Sequence, residues 1–466
     1  MANIIYPEYA HNRGPGYWLR PGNLWASRRK LFRPDHSIEW RQNHTAAFAA
    51  DQLDYYNDDA RCSVPFSALL DRDPAANNGF RFIIMGDTGE GDRSQYGLVP
   101  LLRALRPEFI LIAGDIVYPS GKTGRDRNSD DYLAGFFEPY ANLGIPIWSI
   151  PGNHEYYSKD NGGGYFETFC GTGYAKRWQN FGLRLVRQPG SFWELREPSG
   201  KTGDLVVIGI DTGLHGNIDG HRRKWNNHRT RKFDTPDSEQ LSWLHQRLKH
   251  AQRMDNKVII MFHIPSLADQ EHRSDCHLNE LYRTIAAFPC VRLVVAGHVH
   301  NWQWYSPDTF ARYLQEEYSI ETEVKPYYAI CGGGGAYLTT TDFDKRDYPC
   351  ETAFPSRDDW RNNVGRWTSI VERLGWSRTI IGRIAGALDK GPLSDADLPA
   401  FLSVLLVEVR CDGGRNDIVV TPVFLRHVND LFAHLPKDQI VRLQDDTNEL
   451  VSMKAVNNCL QEPVFL

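Results

Sequence analysis

Eight side chains in this sequence have the donor atoms and the spacing that metal-assisted chemistry needs: Asp87, Asp115, Tyr118, Asn153, His154, His263, His298 and His300. Each lies at or just beyond the end of an apolar run. Residues 82–85 lead into Gly86-Asp87, 109–113 into Gly114-Asp115, 145–150 into Pro151-Gly152-Asn153-His154, 258–262 into His263, and 293–296 into Gly297-His298-Val299-His300. An oxygen-and-nitrogen set without thiolate suits two adjacent ions of the Zn, Fe or Mn type better than one structural zinc, which favours cysteine-rich closure. Two ions about 3.5–4 Å apart polarise phosphate oxygens, activate a water and offset charge in an in-line displacement, so the set points to a hydrolase.

Taken singly, each residue has a plainer explanation. Asp87 or Asp115 can cap a following helix, Asn153 can close a turn, and His263 can be a hydrogen-bonded core histidine. Tyr118 can simply pack, and His298 and His300 can alternate along a strand end. Those explanations leave the joint occurrence of all eight at successive strand ends unaccounted for.

The elements that must position these groups are legible from Arg81 onward, where apolar runs alternate with amphipathic stretches in the manner of β-α units around a buried sheet. Leu98, Leu101, Leu102 and Leu105 recur at helical spacing, and Pro107 ends that helix. Leu133, Phe136, Phe137 and Tyr140 predict a second helix. A third starts at Thr235-Pro236, a cap followed by proline, and buries Leu241, Leu244 and Leu248. Leu278, Leu281, Tyr282 and Ile285 predict a fourth. Every polar group of interest then falls at a strand's C-terminal end, where open α/β sheets gather their ligands.

Residues 402–409 and 418–424 read as paired strands around the turn Cys411-Asp412-Gly413-Gly414. The aperiodic, aromatic-rich stretch 1–78 reads as a wrap around the core. Between 156 and 193 lies an irregular loop whose Tyr156, Tyr157, Lys159, Tyr165 and Arg177 are equally readable as substrate contacts or as a solvated surface. The basic stretch 355–390, with Arg361, Arg366, Arg373, Arg378 and Arg383, reads as a docked helix rather than a membrane-surface one, so membrane contact is not expected.

Composition sets outer bounds. The 466 residues include 53 basic and 58 acidic side chains, a formal charge of -5 that leaves no electrostatic footprint for nucleic acid. Eight cysteines are scattered without a C-x-x-C pair, which indicates reduced, mostly buried thiols rather than a zinc ribbon. Ser27-Arg28-Arg29-Lys30-Leu31-Phe32 has the look of a twin-arginine export signal, but Arg33-Pro34-Asp35-His36 stands where the apolar region belongs. The expectation is a cytoplasmic protein.

The blocks Gly86-Asp87-Thr88-Gly89, Gly114-Asp115-Ile116-Val117-Tyr118, Gly152-Asn153-His154-Glu155, His263 and Gly297-His298-Val299-His300 resemble, in this order, those of the calcineurin-like metallophosphoesterase superfamily. That superfamily usually carries a histidine two positions after the first aspartate, where this chain has Gly89. Tyr118 can fill the gap as a phenolate, a pattern similar to the purple acid phosphatase branch. The resemblance implies a four-layer α/β/β/α sandwich of two mixed sheets with a dinuclear metal site at the sheet edge. It implies one metal held by Asp87, Asp115, Tyr118 and His300, and a second by Asp115, Asn153, His263 and His298. Asp115 would bridge, His154 would stay unligated to assist the leaving group, and Glu155 would orient its neighbours.

The implied function is a phosphoesterase that hydrolyses phosphate mono- or diesters of small molecules or proteins with a metal-bound hydroxide and two ions of Fe, Mn or Zn. The alternatives are a catalytically weak binding scaffold of the same fold, or a nuclease. The expected organisation is an N-terminal extension over 1–78, a catalytic domain over 79–430 with an insertion at about 346–400, and a C-terminal tail over 431–466.

Overall fold

A computed structural model describes residues 2–7, 63–70, 79–126, 128–158, 162–171, 175–184, 186–196, 205–212, 236–268, 278–336, 348–356, 359, 401–412 and 415–466. Lys159, Thr235 and the five arginines from Arg361 to Arg383 lie outside the described residues.

Two sheets make the core. The first contains β3 (Gly79–Met85), β4 (Phe109–Ala113) and β5 (Ile147–Ile150) in parallel, with β13 (Leu402–Asp412), β14 (Arg415–Leu425) and β16 (Val464–Phe465) added antiparallel beyond β3. The second has the order β12 (Thr352–Phe354), β10 (Trp302–Tyr305), β11 (Tyr327–Cys331), β9 (Val291–Ala296), β8 (Lys257–Phe262), β7 (Leu205–Ile210), β6 (Trp193–Arg196), β2 (Ser63–Pro65). Its centre, β11-β9-β8-β7, is parallel. The late pair of strands expected around the polar turn is β13–β14, and its register against β3 places Leu405 opposite Ile84.

Alternation along each strand decides which face meets which layer. Phe82, Ile84, Phe109, Leu111 and Ala113 point into the core shared with the second sheet, while Ile83, Met85, Ile110 and Ile112 point outward onto Leu98, Leu101 and Leu102 of α1 (Arg93–Leu105). On the second sheet, a Cβ at Gly209 would meet Ile150 of the first sheet and Trp193, so this face looks inward. Met261 pairs with Gly209 and shares that face. Phe262 looks the other way and packs on Tyr282 of α3 (Asn279–Ala286), with ring centroids 6.3 Å apart. With α2 (Pro236–Arg253) and α4 (Pro307–Tyr318), α3 covers the outer face, giving the four-layer sandwich.

Sequence signals account for the helix ends. The Asp92 side chain accepts from the Ser94 and Gln95 amides at 3.1 and 3.3 Å and caps α1, and left-handed Arg106 closes it just before Pro107. The second predicted helix is corrected: residues 133–137 form a single π-helical turn, in which Phe136 and Phe137 are buried against Trp178.

Both described pieces of the N-terminal stretch pair with other strands: β1 (Asn3–Ile5) runs parallel to β15 (Ile440–Arg442), and β2 runs parallel to β6. Cys170, Cys290, Cys331, Cys350 and Cys459 carry thiols rather than disulfides, and all but Cys350 are buried. Among the described residues, no helix is long and apolar enough to cross a membrane.

Candidate metal centre

The strand ends of both sheets meet at one point. From the first sheet come Asp87, Asp115, Asn153 and His154; from the second come His263, His298 and His300. Three of these residues have left-handed backbones: Asp87 at φ 57°, Asp115 at 49° and His298 at 69°. Non-glycine residues rarely adopt this region, and functional sites are where such strain is held in place by packing. Here it turns each side chain off the strand axis toward the gap between the sheets.

Asp115 joins two groups of donors. Its Oδ1 lies 3.2 Å from His263 Nε2, and its Oδ2 lies 3.2 Å from the Tyr118 hydroxyl. On the Oδ2 side, Tyr118 is also 3.3 Å from Asp87 Oδ1 and 3.1 Å from His300 Nε2, and His300 Nε2 is 3.3 Å from Asp87 Oδ1. On the Oδ1 side, Asn153 Oδ1 is 3.2 Å from His263 Nε2, and the His298 ring lies 5.2 Å from that of His263. Ligand atoms of Asp87, Asp115 and His300 lie within 4.8 Å of one another, as do those of Asp115, His263 and His298.

This donor chemistry fits a cation on each side. His263 Nδ1 bonds to the Ala113 carbonyl at 2.8 Å, so the neutral ring aims the Nε2 lone pair at Asp115 Oδ1 and Asn153 Oδ1. Three buried acceptors converge, an arrangement that a proton or a cation makes favourable. Burial favours the neutral His263 ring, yet the Asp115 charge outweighs it and raises the group to about 9. Burial likewise works against the Asp115 charge, but His263 and His154 overcome it and hold the carboxyl well below its ordinary value.

The backbone around the centre is tightly held. The buried Glu155 carboxylate accepts from the amides of Gly152 at 2.6 Å, Ile116 at 2.8 Å, and Asp115 and Val117 at 3.1 Å, tying the turn after β4 to the turn after β5. Burial and then the Asp115 charge push Glu155 up to about 8, against the pull of those amides. Asp87 Oδ2 accepts from the His298 amide at 2.7 Å, linking the two sheets. Gly332 and Gly334 pass so close that a Cβ on them would run into Val299 and Gly86 backbone oxygens, which accounts for the glycine run beside Asp87.

Gly89 has no room for a side chain unless the backbone beside it shifts. A Cβ there would overlap the Ile116 carbonyl, and the Tyr118 amide donates to the Gly89 carbonyl at 3.0 Å. At the position where the resemblance expects histidine, the backbone of Ile116 and Val117 therefore fills the space a side chain would take.

His154 stands apart. Its Nδ1 bonds to the Pro119 carbonyl at 2.7 Å, its ring lies against Tyr118 at 4.3 Å and Tyr157 at 4.7 Å, and Nε2 is 4.0 Å from Asp115 Oδ2. Its side chain is 14% exposed, and His298 among the candidate ligands is likewise only partly buried. Burial lowers its pKa, with Asp115 opposing.

Three of the loop residues left open between substrate contact and solvated surface have partners in the core. The Tyr156 hydroxyl donates to buried Asp211 at 2.6 Å, that of Tyr165 donates to the Ser149 carbonyl at 2.9 Å, and Arg177 pairs with Asp130 at 2.7 Å while lying over Phe137. These side chains hold the loop down on the core, each with a hydrogen-bonded or charged partner for its polar end. Sequence reasoning gave no site role to Asp211-Thr212, although the pair ends β7 as Asp87 and Asp115 end their strands. Thr212 Oγ1 accepts from the His263 and Ile264 amides at 3.2 and 3.0 Å and so fixes a candidate ligand.

Residues 80–302 match the family model for calcineurin-like phosphoesterase, and every candidate ligand lies within that stretch. No curated protein matches the chain closely enough to count as a relative. Among solved structures, the chain is similar to GAP50, the anchor in the inner membrane complex of Plasmodium, at 14% identity, with 78% of this chain and 97% of that one covered and a TM-score of 0.46. It is similar to a dimetal phosphatase from Danio rerio at 14% identity, covering 55% and 88% of the two chains with a TM-score of 0.34. A protein of Thermus thermophilus shows 15% identity over 55% and 89%, with a TM-score of 0.29. At these scores the likenesses are loose and say nothing of function.

Proposed function

We propose that the chain is a dinuclear metal-dependent phosphoesterase acting on phosphate mono- or diesters, with a tyrosine-containing centre like that of the purple acid phosphatase branch. The observation that carries this reading is the division of Asp115, which turns one carboxylate oxygen to each of two donor groups. Asp87, Asp115, Tyr118 and His300 would hold one ion; Asp115, Asn153, His263 and His298 would hold the other. When bound, such a pair supplies Lewis acidity toward phosphate oxygens and a nucleophile at neutral pH.

The chain's own residues supply the rest. His154, its ring set by Pro119 and two tyrosines, keeps Nε2 4.0 Å from Asp115 Oδ2, where it can hold a proton for the departing ester oxygen. Glu155 keeps the two ligand turns in register. The occupant is a phosphate ester of a small molecule or a protein; a phenolate from Tyr118 favours ferric iron at its side of the centre.

The test is hydrolysis of an aryl phosphate monoester and a diester by the purified chain, with and without added Mn, Fe or Zn. Metal-dependent release of the aryl alcohol is expected, together with visible absorption in the iron-loaded chain that Tyr118→Phe lacks. A chain that takes up metal yet hydrolyses neither ester is a binding scaffold, and a colourless iron-loaded chain removes Tyr118 from the ligand set.

A further inference from the structure

We propose that Thr212 is a positioning residue whose side-chain oxygen holds the backbone of His263 and thereby sets the affinity of the second metal position. The inference rests on the metal-centre reading above and extends it to a side chain outside the donor set.

β7 and β8 pair in parallel as far as Ile210 opposite Phe262. Beyond that pair the ladder stops, and the amides of His263 and Ile264 donate instead to a side chain, Thr212 Oγ1, at 3.2 and 3.0 Å. A backbone amide can only donate, so the threonine oxygen is the acceptor in both bonds whichever way its own proton turns. Thr212 is 3% exposed, Ile264 2% and His263 0%, so removing the oxygen leaves two buried donors with little access to water.

What these bonds fix is a candidate ligand. The His263 ring reaches from that backbone to the Ala113 carbonyl through Nδ1 and to Asp115 Oδ1 and Asn153 Oδ1 through Nε2. A shift of the backbone at 263 is carried to Nε2 at the far end of the ring. The anchor is itself anchored: the Asp211 amide donates to Gln240 Oε1 of α2 at 2.9 Å, and Gln240 Nε2 donates to the Asp211 carbonyl at 3.1 Å. Asp211 Oδ2 also accepts from the Tyr156 hydroxyl at 2.6 Å, and the Tyr156 amide donates to the Asn153 carbonyl at 3.2 Å. The end of β7 thus holds both flanks of the second position, His263 through Thr212 and the turn of Asn153 through Asp211. Partners that orient a ligand without touching the metal typically change metal affinity by about 10–100-fold when removed.

The experiment titrates the metal-free full-length chain and its Thr212→Val, Thr212→Ala and Thr212→Ser variants with Zn or Mn against a competing chelator, counting ions per chain. Val keeps the branched shape without the acceptor, Ala lacks the acceptor without setting a methyl against the two amides, and Ser keeps the oxygen. Circular dichroism checks that each fold is kept, and His263→Ala identifies the step in question as the one it abolishes. The expected result is two ions in the unaltered chain, with the His263 step weakened by about tenfold or more in Thr212→Val and Thr212→Ala, the other step unchanged and Thr212→Ser close to the unaltered chain. A mere loss of global stability does not produce this pattern, because it leaves the affinity of the folded chain as it was.

An unchanged His263 step in the acceptor-free variants removes the proposal while leaving the metal centre in place. Equal weakening of both steps assigns Thr212 to general packing, and a Thr212→Ser chain as weak as Thr212→Val shows that the oxygen is not what matters. A His263→Ala chain that keeps both steps takes His263 out of the donor set and the proposal with it. An unaltered chain that takes up no ion overturns the metal-centre reading itself.

Discussion

His154 and Asn153 are neighbours in one turn, yet their surroundings give them different work. The Asn153 oxygen points into the donor cluster, whereas His154 spends Nδ1 on the Pro119 carbonyl and holds Nε2 4.0 Å from Asp115. Removing either side chain should therefore have separable effects. His154→Ala is expected to keep its metal and lose turnover by about 10²–10⁴-fold, the usual contribution of a positioned acid or base. Asn153→Ala is expected to lose one ion. Metal analysis beside kcat measurements checks both, and a His154→Ala chain stripped of metal would contradict the division of roles. The identity of the loop as Gly-Asn-His-Glu is plain in the sequence; the hydrogen bonds that separate its members come from Pro119, 35 residues away, and from Tyr157.

The turns after β3 and β4 act as one element. The Asp87 and Thr88 amides donate to the Gly114 and Asp115 carbonyls at 3.0 Å, and Gly89 sits against Ile116 with no room for a Cβ. Sequence comparison of ligand types presents Gly89 as a missing histidine. The fold shows that the space was given to close backbone contact, which brings Tyr118 up to Asp87 and His300. Gly89→Ala is expected to destabilise the protein by about 1–3 kcal/mol, as overpacking of a close contact does. Because the turn also carries Asp87, metal uptake should weaken in parallel. Denaturant unfolding of the metal-free chain is the check, and equal stability of the variant would show that the turn relaxes freely.

The whole molecule is joined at this centre, since Asp87, Asp115 and Asn153 belong to one sheet and His263, His298 and His300 to the other. In the absence of a cation, carboxylates and imidazoles share a buried volume and must balance one another by protonation. An ion bound there links the two sheets and should stabilise the folded chain by about 2.7 kcal/mol at a hundredfold excess over its Kd. Added Zn or Mn is expected to raise the thermal midpoint, and a chelator to lower it toward that of the metal-free chain. A midpoint indifferent to both would mean that no ion bridges the sheets.

The sequence by itself determined the strand cores and the polar residue that ends each of them, because period-two burial and the close of an apolar run are local properties. It also exposed the expected donors in order, from Asp87 to His300. Tertiary structure decided how those donors act on one another. Tyr118 and His300 are 182 residues apart and meet at 3.1 Å; Asp87 and His298 are 211 apart and join two sheets through one hydrogen bond. The direction in which a histidine presents its nitrogen and the space denied to a Cβ depend on such distant atoms. No local pattern encodes them, because each is set by whichever backbone the fold happens to bring alongside.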